Sequence, residues 1–355
     1  MFTDVKRYSF INAKLRARIS AILPEKFFTD MAGCPSLTEM FNLLRSTPFS
    51  GIADIYEQTG DLKMVELELL KREIALYTDL VPHLPHEATA LVRAYMTGYE
   101  IENLKNALGI FFDHVVCKRP PDDAVHYLLR DKIINDLPYD ALINATSIGE
   151  LPVIFERTPY GATVAEHRAE IEQKASLFPL LAALDRLYYR YLIEEARRLP
   201  PADRRIALRL VGIEIDLLNV NWIMRFKTYY NLPYSAISGL IIPGGQSVVG
   251  ETLRKVFESQ QLSAPLTTML NRSYPQIAAL MATQPQEHGE RLAFVERLLE
   301  KIMIEEISRL MRGYPFTVGI ILAYFMAKRL EIKRIRTVLN AGLLAVTPQQ
   351  AATLL

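Results

Sequence analysis

His83-Leu84-Pro85-His86-Glu87, with His114 and Cys117 as outside partners, is the nearest this chain comes to a metal-binding constellation. Imidazole and thiolate together suit zinc. Pro85, however, breaks helical presentation between the two histidines, and the related positions Arg198-Leu199-Pro200 and Gly313-Tyr314-Pro315 carry no histidine. The segment is therefore expected to be a structural turn. Glu73, Asp185 and Glu300 recur at similar intervals, and carboxylates could do acid-base hydrolysis if two came within about 10 Å. Each falls in a different segment, which favours a repeated structural role. Glu100, Glu214 and Glu331 are read in the same way, as acidic residues opening helices, where the dipole favours them. A nucleophile elbow, a phosphate loop and a His-Glu-x-x-His zinc helix are all missing from the sequence. Pro243-Gly244-Gly245 lacks the Lys-Ser/Thr of a phosphate loop and reads as a turn needing positive φ. No catalytic residue, cofactor site or metal ligand is assigned, and the chain is read as a non-enzyme.

Basic residues are more suggestive. Arg225 and Lys227 in one segment, and Lys333, Arg334 and Arg336 in another, cluster on what should be equivalent helices. Such clusters are often solvated helix faces, but they also form the docking edge that an acidic partner needs. These five are the candidate partner contacts.

The elements that would position them repeat along the chain. Leu84-Pro85, Leu199-Pro200 and Tyr314-Pro315 are each followed by Glu-Ile-x-x-(Leu/Ile), at Glu100, Glu214 and Glu331. Ser36-Leu37-x-Glu39 leads to Thr47-Pro48-Phe49, and Ser147-Ile148-x-Glu150 leads to Thr158-Pro159-Tyr160. Leu15, Arg16, Ile19, Leu23 and Pro24 match Leu129, Arg130, Ile133, Leu137 and Pro138, whereas Ser273-Tyr274 is a worn third counterpart of the Thr-Pro motif. The pattern predicts one helical module written three times, over 1–120, 121–233 and 234–355. Each copy is too long to be a single solenoid repeat.

Within each module the Glu-Ile phrase is expected to open a helix. Its apolar stripe (Ile101, Leu104, Leu108, Phe111, Val115 in the first copy) would pack on the module's other helices. Trp222 takes the place of Leu108 and is expected in the core. Pro120, Pro233 and Pro348 should close these segments. A second long helix precedes each Leu/Tyr-Pro, over 69–80, 180–196 and 294–310. Strand signals are thin, and 234–242 reads as a connection beside the glycine turn. The fold class is all-α.

Composition agrees. Half of the 355 residues are apolar, enough for sizeable cores, and 41 basic against 40 acidic residues give net +1, which argues against a broad nucleic-acid footprint. Two cysteines cannot build a disulfide framework and fit a reducing compartment. The start of the chain lacks the pattern of a signal peptide. The longest uncharged apolar run, 316–327, falls short of the ~20 residues of a membrane span.

The stretch GIEIDLLNVNWIMRFKTYYNLP from Gly212, the turn IIPGG from Ile241, the ending EIKRIRTVLNAGL from Glu331, and the paired motifs from Ser36 and Ser147 resemble the C-subunit family of the V/A-type rotary ATPases, whose eukaryotic counterpart is the V-ATPase d subunit. The resemblance covers essentially the whole chain. It implies a pseudo-threefold funnel of three helical domains on the cytoplasmic end of the membrane proteolipid ring, receiving the tip of the central stalk. Such a socket couples the shaft to the ring for proton or sodium transport linked to ATP synthesis or hydrolysis, and touches the membrane only through the complex. Asn103 and Lys105 stand where the second copy has Leu217 and Asn219, a departure that bears on how equal the domains are. A helical-repeat scaffold of an unrelated complex would show the same triplication.

Overall fold

The structure, a computed structural model, describes residues 2–120, 123–226, 234–247, 250–259, 268–271, 273–275 and 288–344. Among these there are helices and turns but no strand, so the chain is all-α, and 234–242 holds a short helix and a turn. The helices in chain order are α1 (Phe2–Ile19), α2 (Glu25–Ala32), α3 (Leu37–Leu44), α4 (Gly51–Thr59), α5 (Leu62–Leu80), α6 (His86–Val115), α7 (Tyr139–Asn144), α8 (Leu151–Phe155), α9 (Gly161–Lys174), α10 (Phe178–Arg198), α11 (Pro201–Arg225), α12 (Tyr234–Ile237), α13 (Gly250–Glu258), α14 (His288–Arg312) and α15 (Val318–Leu343). Two compact units result: Met1–Asn144 with Ile320–Leu355, and Ala145–Gly319.

Each Leu/Tyr-Pro dipeptide is the joint between two long helices: α5 with a 3-10 turn and α6, α10 and α11, α14 and α15. Proline is compatible with a helix start because the first N–H groups have no helical partner. The Glu-Ile phrase therefore does not open a helix, contrary to expectation. Glu100, Glu214 and Glu331 lie in the middle of α6, α11 and α15, where a helix N-terminal dipole has no part in holding them. Pro233 and Pro348 lie outside the described residues; α6 ends at Val115, short of Pro120.

The Ser-x-x-Glu and Thr-Pro motifs fold alike in both places. Ser36 caps α3 by accepting from the Glu39 N–H at 3.3 Å, and Ser147 forms a capping box with Glu150. Thr47 Oγ1 then donates to the Leu44 carbonyl and accepts from the Phe49 N–H, as Thr158 Oγ1 does with Phe155 and Tyr160. Ser273 repeats the backbone part of this turn, its N–H reaching the Leu270 carbonyl at 3.1 Å.

Upstream the copies diverge. Leu15, Arg16 and Ile19 belong to an 18-residue helix, whereas Leu129, Arg130 and Ile133 lie in an irregular stretch. In place of that match, Phe28 and Met31 are buried in α2 as Tyr139 and Leu142 are in α7, the same offset as from Ser36 to Ser147.

In the first unit one core joins Phe28, Met31, Met40, Leu44, Ile52, Val65 and Leu69 to Ile332, Ile335, Val338 and Leu339 of α15. The other unit joins Ile213, Val220 and Ile223 of α11 to Leu253, Val256, Leu270, Tyr274, Leu298 and Ile302. The long helices thus pack outside the segments in which they lie: α11 on the residues that follow it, α15 on the beginning of the chain. Trp222 is only half-buried, with its ring 6.4 Å from those of Phe178 and Phe226, because Val220 and Ile223 face the core in its place.

Candidate functional site

Each long helix carries a carboxylate that is almost fully buried: Glu100 at 1 %, Asp216 at 0 % and Glu331 at 2 % exposure. A buried carboxylate must be matched by donors, and here the donors are largely backbone N–H groups of a neighbouring non-helical segment. Glu100 Oε2 accepts from the N–H of Ile134 at 2.9 Å and of Asn135 at 2.6 Å, while Oε1 takes the Asn135 amide. Asp216 Oδ2 accepts from the N–H of Gln246 and Ser247 at 3.0 and 2.8 Å and from the Tyr274 hydroxyl at 3.0 Å. Burial, first, and the Asp216 charge beside it push the Tyr274 hydroxyl well above its usual range. Glu331 Oε1 accepts from the Leu23 N–H at 2.7 Å, and Glu331 forms a buried ion pair with Lys328, whose ammonium also sits 4.9 Å from the centre of the Phe49 ring.

One turn along, on the same helix face, an asparagine completes two of these clasps. Asn103 exchanges two hydrogen bonds with the backbone of Leu129, and Asn219 does the same with Ile242. On α15 that place falls to Arg334, which is turned to Glu25. The repeated Glu-Ile phrase pairs Glu100 with Glu214; the hydrogen bonds pair it with Asp216. In that register Asn103 meets Asn219, and the apparent departure between the copies disappears. An acidic residue and an asparagine three apart in mid-helix were the signal that would have found the pair.

The glycine turn belongs to this arrangement. Gly244 has φ +105°, and a Cβ on Gly245 would stand 2.1 Å from Asp216 Oδ1. The paired glycines serve a positive φ and a close carboxylate approach, as the sequence suggested for the first of them.

Of the five basic candidates, Arg225 is exposed on α11 and donates to Asn221 at 2.8 Å, and Lys227 lies outside the described residues. On α15, Lys333 is exposed, Arg334 pairs with Glu25 at 2.5 Å, and Arg336 reaches Glu66 at 3.4 Å. Lys333 and Arg336 share a shallow groove of about 440 Å³ with Glu66, Asn340 and Leu344. Arg225 belongs to the other compact unit.

The remaining candidates separate. His86 and His114 sit near opposite ends of α6, about 42 Å apart at 1.5 Å per residue, which places them beyond any common metal. His83 packs against Phe10, with ring centroids 5.4 Å apart. Glu73 is buried and accepts from the Tyr99 hydroxyl of α6, with Arg329 at 3.8 Å. It bonds across helices, as its repeated spacing suggested. Asp185 is buried in α10 and Glu300 half-buried in α14. Among the described residues no three His, Cys, Asp or Glu side chains are grouped to hold a metal, and no helix is long and apolar enough to cross a membrane.

The chain is similar to the C subunit of the A-type ATP synthase of Methanosphaera stadtmanae, 27 % identical over 336 residues that cover 93 % of this chain and 83 % of that one. It is also similar to the corresponding proteins of Methanothermobacter thermautotrophicus (24 % over 345 residues, 94 % and 84 % covered) and Thermococcus onnurineus (25 % over 334 residues, 93 % and 85 % covered). The sequence pattern of the ATP synthase (C/AC39) subunit family matches residues 11–350. A match over nearly the full length places the chain in that family, the ATP synthase (C/AC39) subunits.

Proposed function

We propose that this chain is the non-catalytic socket of a V/A-type rotary ATPase, on the cytoplasmic side of the membrane, coupling the central shaft to the proteolipid ring. The observation that carries this reading is the set of buried clasps. A torque-bearing adaptor must resist shear, and Glu100, Asp216 and Glu331 each anchor a long helix to backbone of another segment. The recurrence of the clasp also supports three related modules, over 1–120, 121–233 and 234–355, and with them a pseudo-threefold funnel. Because the clasp of α15 closes on Leu23, the last module would engage the first and complete a cycle of three.

The basic edge is the proposed docking surface. Lys333 and Arg336 are its central members, flanked by Arg334, with Arg225 of α11 and Lys227, two positions on in the sequence, as further members. Broad docking over many modest contacts suits shear better than one tight pocket. Removing the chain is expected to uncouple ATP turnover by the soluble head from ion transport in reconstituted vesicles, while the purified chain turns over no nucleotide. Coupled transport without it would overturn the socket role, and nucleotide turnover by the pure chain would favour an enzyme.

A further inference from the structure

The groove of about 440 Å³ along α15 that holds Lys333 and Arg336 also holds a carboxylate, Glu66 of α5, the only acid among its described lining residues. All of these residues lie in the first unit. An acid inside a basic docking edge works against an acidic partner, so its role there depends on how firmly it is held and by what.

Glu66 is fixed from one side and loosely engaged from the other. Arg336 and Asn340 stand four residues apart, neighbours on one face of α15. An amide has two N–H donors. Asn340 makes two bonds with them: one to its own helix, at the Arg336 carbonyl 2.9 Å away, and one to Glu66 Oε1 at 2.7 Å. The carboxylate is thus tied to the backbone of α15 by an amide that has no donor to spare, and its side chain is only 26 % exposed. Arg336 is the opposite case. Its guanidinium carries five N–H donors and is 50 % exposed, and among the described residues it bonds only to Glu66, from Nε at 3.4 Å. A pair so long and so open to solvent contributes little to stability, so the fold does not depend on Arg336 staying with Glu66. The Glu66 charge still acts at that distance, where unit charges attract or repel appreciably even in water.

We propose that Glu66 sets the affinity of the basic edge, as a fixed internal competitor that the carboxylates of an acidic protein partner must displace from Arg336. Beside Lys333 and Arg336 its single negative charge halves the local positive excess and repels each incoming carboxylate. Arg336 is free to exchange, because its remaining donors can take a partner carboxylate two bonds at a time. The inference rests on the docking role proposed for this edge.

The test titrates the full chain into vesicles carrying the rest of the rotary complex and reads the concentration that restores half of the coupled ion transport. Glu66→Gln keeps an oxygen for the Asn340 amide and removes only the charge. It should lower that concentration about three- to tenfold at low salt, with little change in the thermal melt, and the gain should shrink as salt rises. Because Glu66 acts through Arg336, the same change made in an Arg336→Gln background should gain about twofold or less. The inference is overturned if Glu66→Gln leaves the concentration unchanged or raises it. It is equally overturned if the gain is as large without Arg336, which would make it a general effect of surface charge. Failure of the docking role itself reads differently: reversing Lys333, Arg336 and Arg225 together would then leave assembly normal, whereas failure of this inference alone leaves that reversal damaging and Glu66→Gln without effect.

Discussion

Backbone N–H groups in a non-helical segment have no built-in partner, and when such a segment is pressed against a helix something on that helix must accept from them. Glu100 and Asp216 do this from positions where a mid-helix carboxylate would otherwise be costly to bury. Glu100→Ala or Asp216→Ala should cost about 2–4 kcal/mol, since each strands two N–H donors and a side-chain donor; urea denaturation measures this, and Glu214→Ala on the half-buried neighbouring position should cost far less. Gly245→Ala should lose about 1–3 kcal/mol, because its Cβ meets the Asp216 carboxylate and one of them must move. Trp222→Ala should fall below the roughly 3–5 kcal/mol of a fully buried aromatic, in keeping with its half-exposed ring.

At the scale of elements, α14 is tied to α11 through Glu306, which is 5 % exposed and accepts from Arg209 at 2.9 Å and from Arg309 at 3.0 Å. Burial works against its ionisation, but the hydrogen bonds from Arg309 and Arg209 outweigh it and hold the carboxyl below its usual range. A carboxylate whose pKa is lowered by folding stabilises fully above its unfolded value of about 4.3 and loses that contribution as pH falls through the folded value. The stability difference between the native chain and Glu306→Gln should therefore be constant from pH 8 to 6 and shrink steadily below about pH 4.3. On α15, Ile335 and Leu339 are buried in the core formed with α2 to α5, so Ile335→Ala should cost about 2–5 kcal/mol. Hydrogen exchange should then quicken in α2, α3 and α5 as well as in α15, because the first helices depend on the last for their core.

For the whole molecule, the buried carboxylates link residues far apart in sequence, Glu331 to Leu23 above all. The core around Phe28, Met31 and Leu44 cannot close until α15 has been synthesised, because Ile332, Ile335, Val338 and Leu339 are part of it. The docking edge is tested at this scale. Reversing Lys333, Arg336 and Arg225 together to Glu should weaken assembly in a salt-dependent way with little change in the melting temperature, since the Arg336 pair with Glu66 is a long, half-exposed one, whereas single alanine changes should do little. Arg334→Glu should in addition destabilise the chain, because its pair with Glu25 lies within the first unit. Normal assembly of the triple variant at low salt would place the docking face elsewhere.

The all-helical class, the long helices on either side of each proline joint and the Ser-x-x-Glu and Thr-Pro turns were legible in the residues, because capping and proline geometry act over a few positions. So was the family, whose motifs are spread along the whole chain. The start of α6 was misplaced because its apolar residues are not confined to one stripe: it is buried on nearly every side from Ala94 to Ile101, so periodicity could not mark where it began. The clasps were missed for a related reason. Glu-Ile is the louder repeat, but which carboxylate turns inward on α11 depends on the helix's rotation against its neighbours. Two residues of register, from Glu214 to Asp216, separate a half-exposed side chain from a buried one. Local sequence determined which elements form; only tertiary packing decided which face of each is buried, because that choice rests on contacts with segments tens to hundreds of residues away.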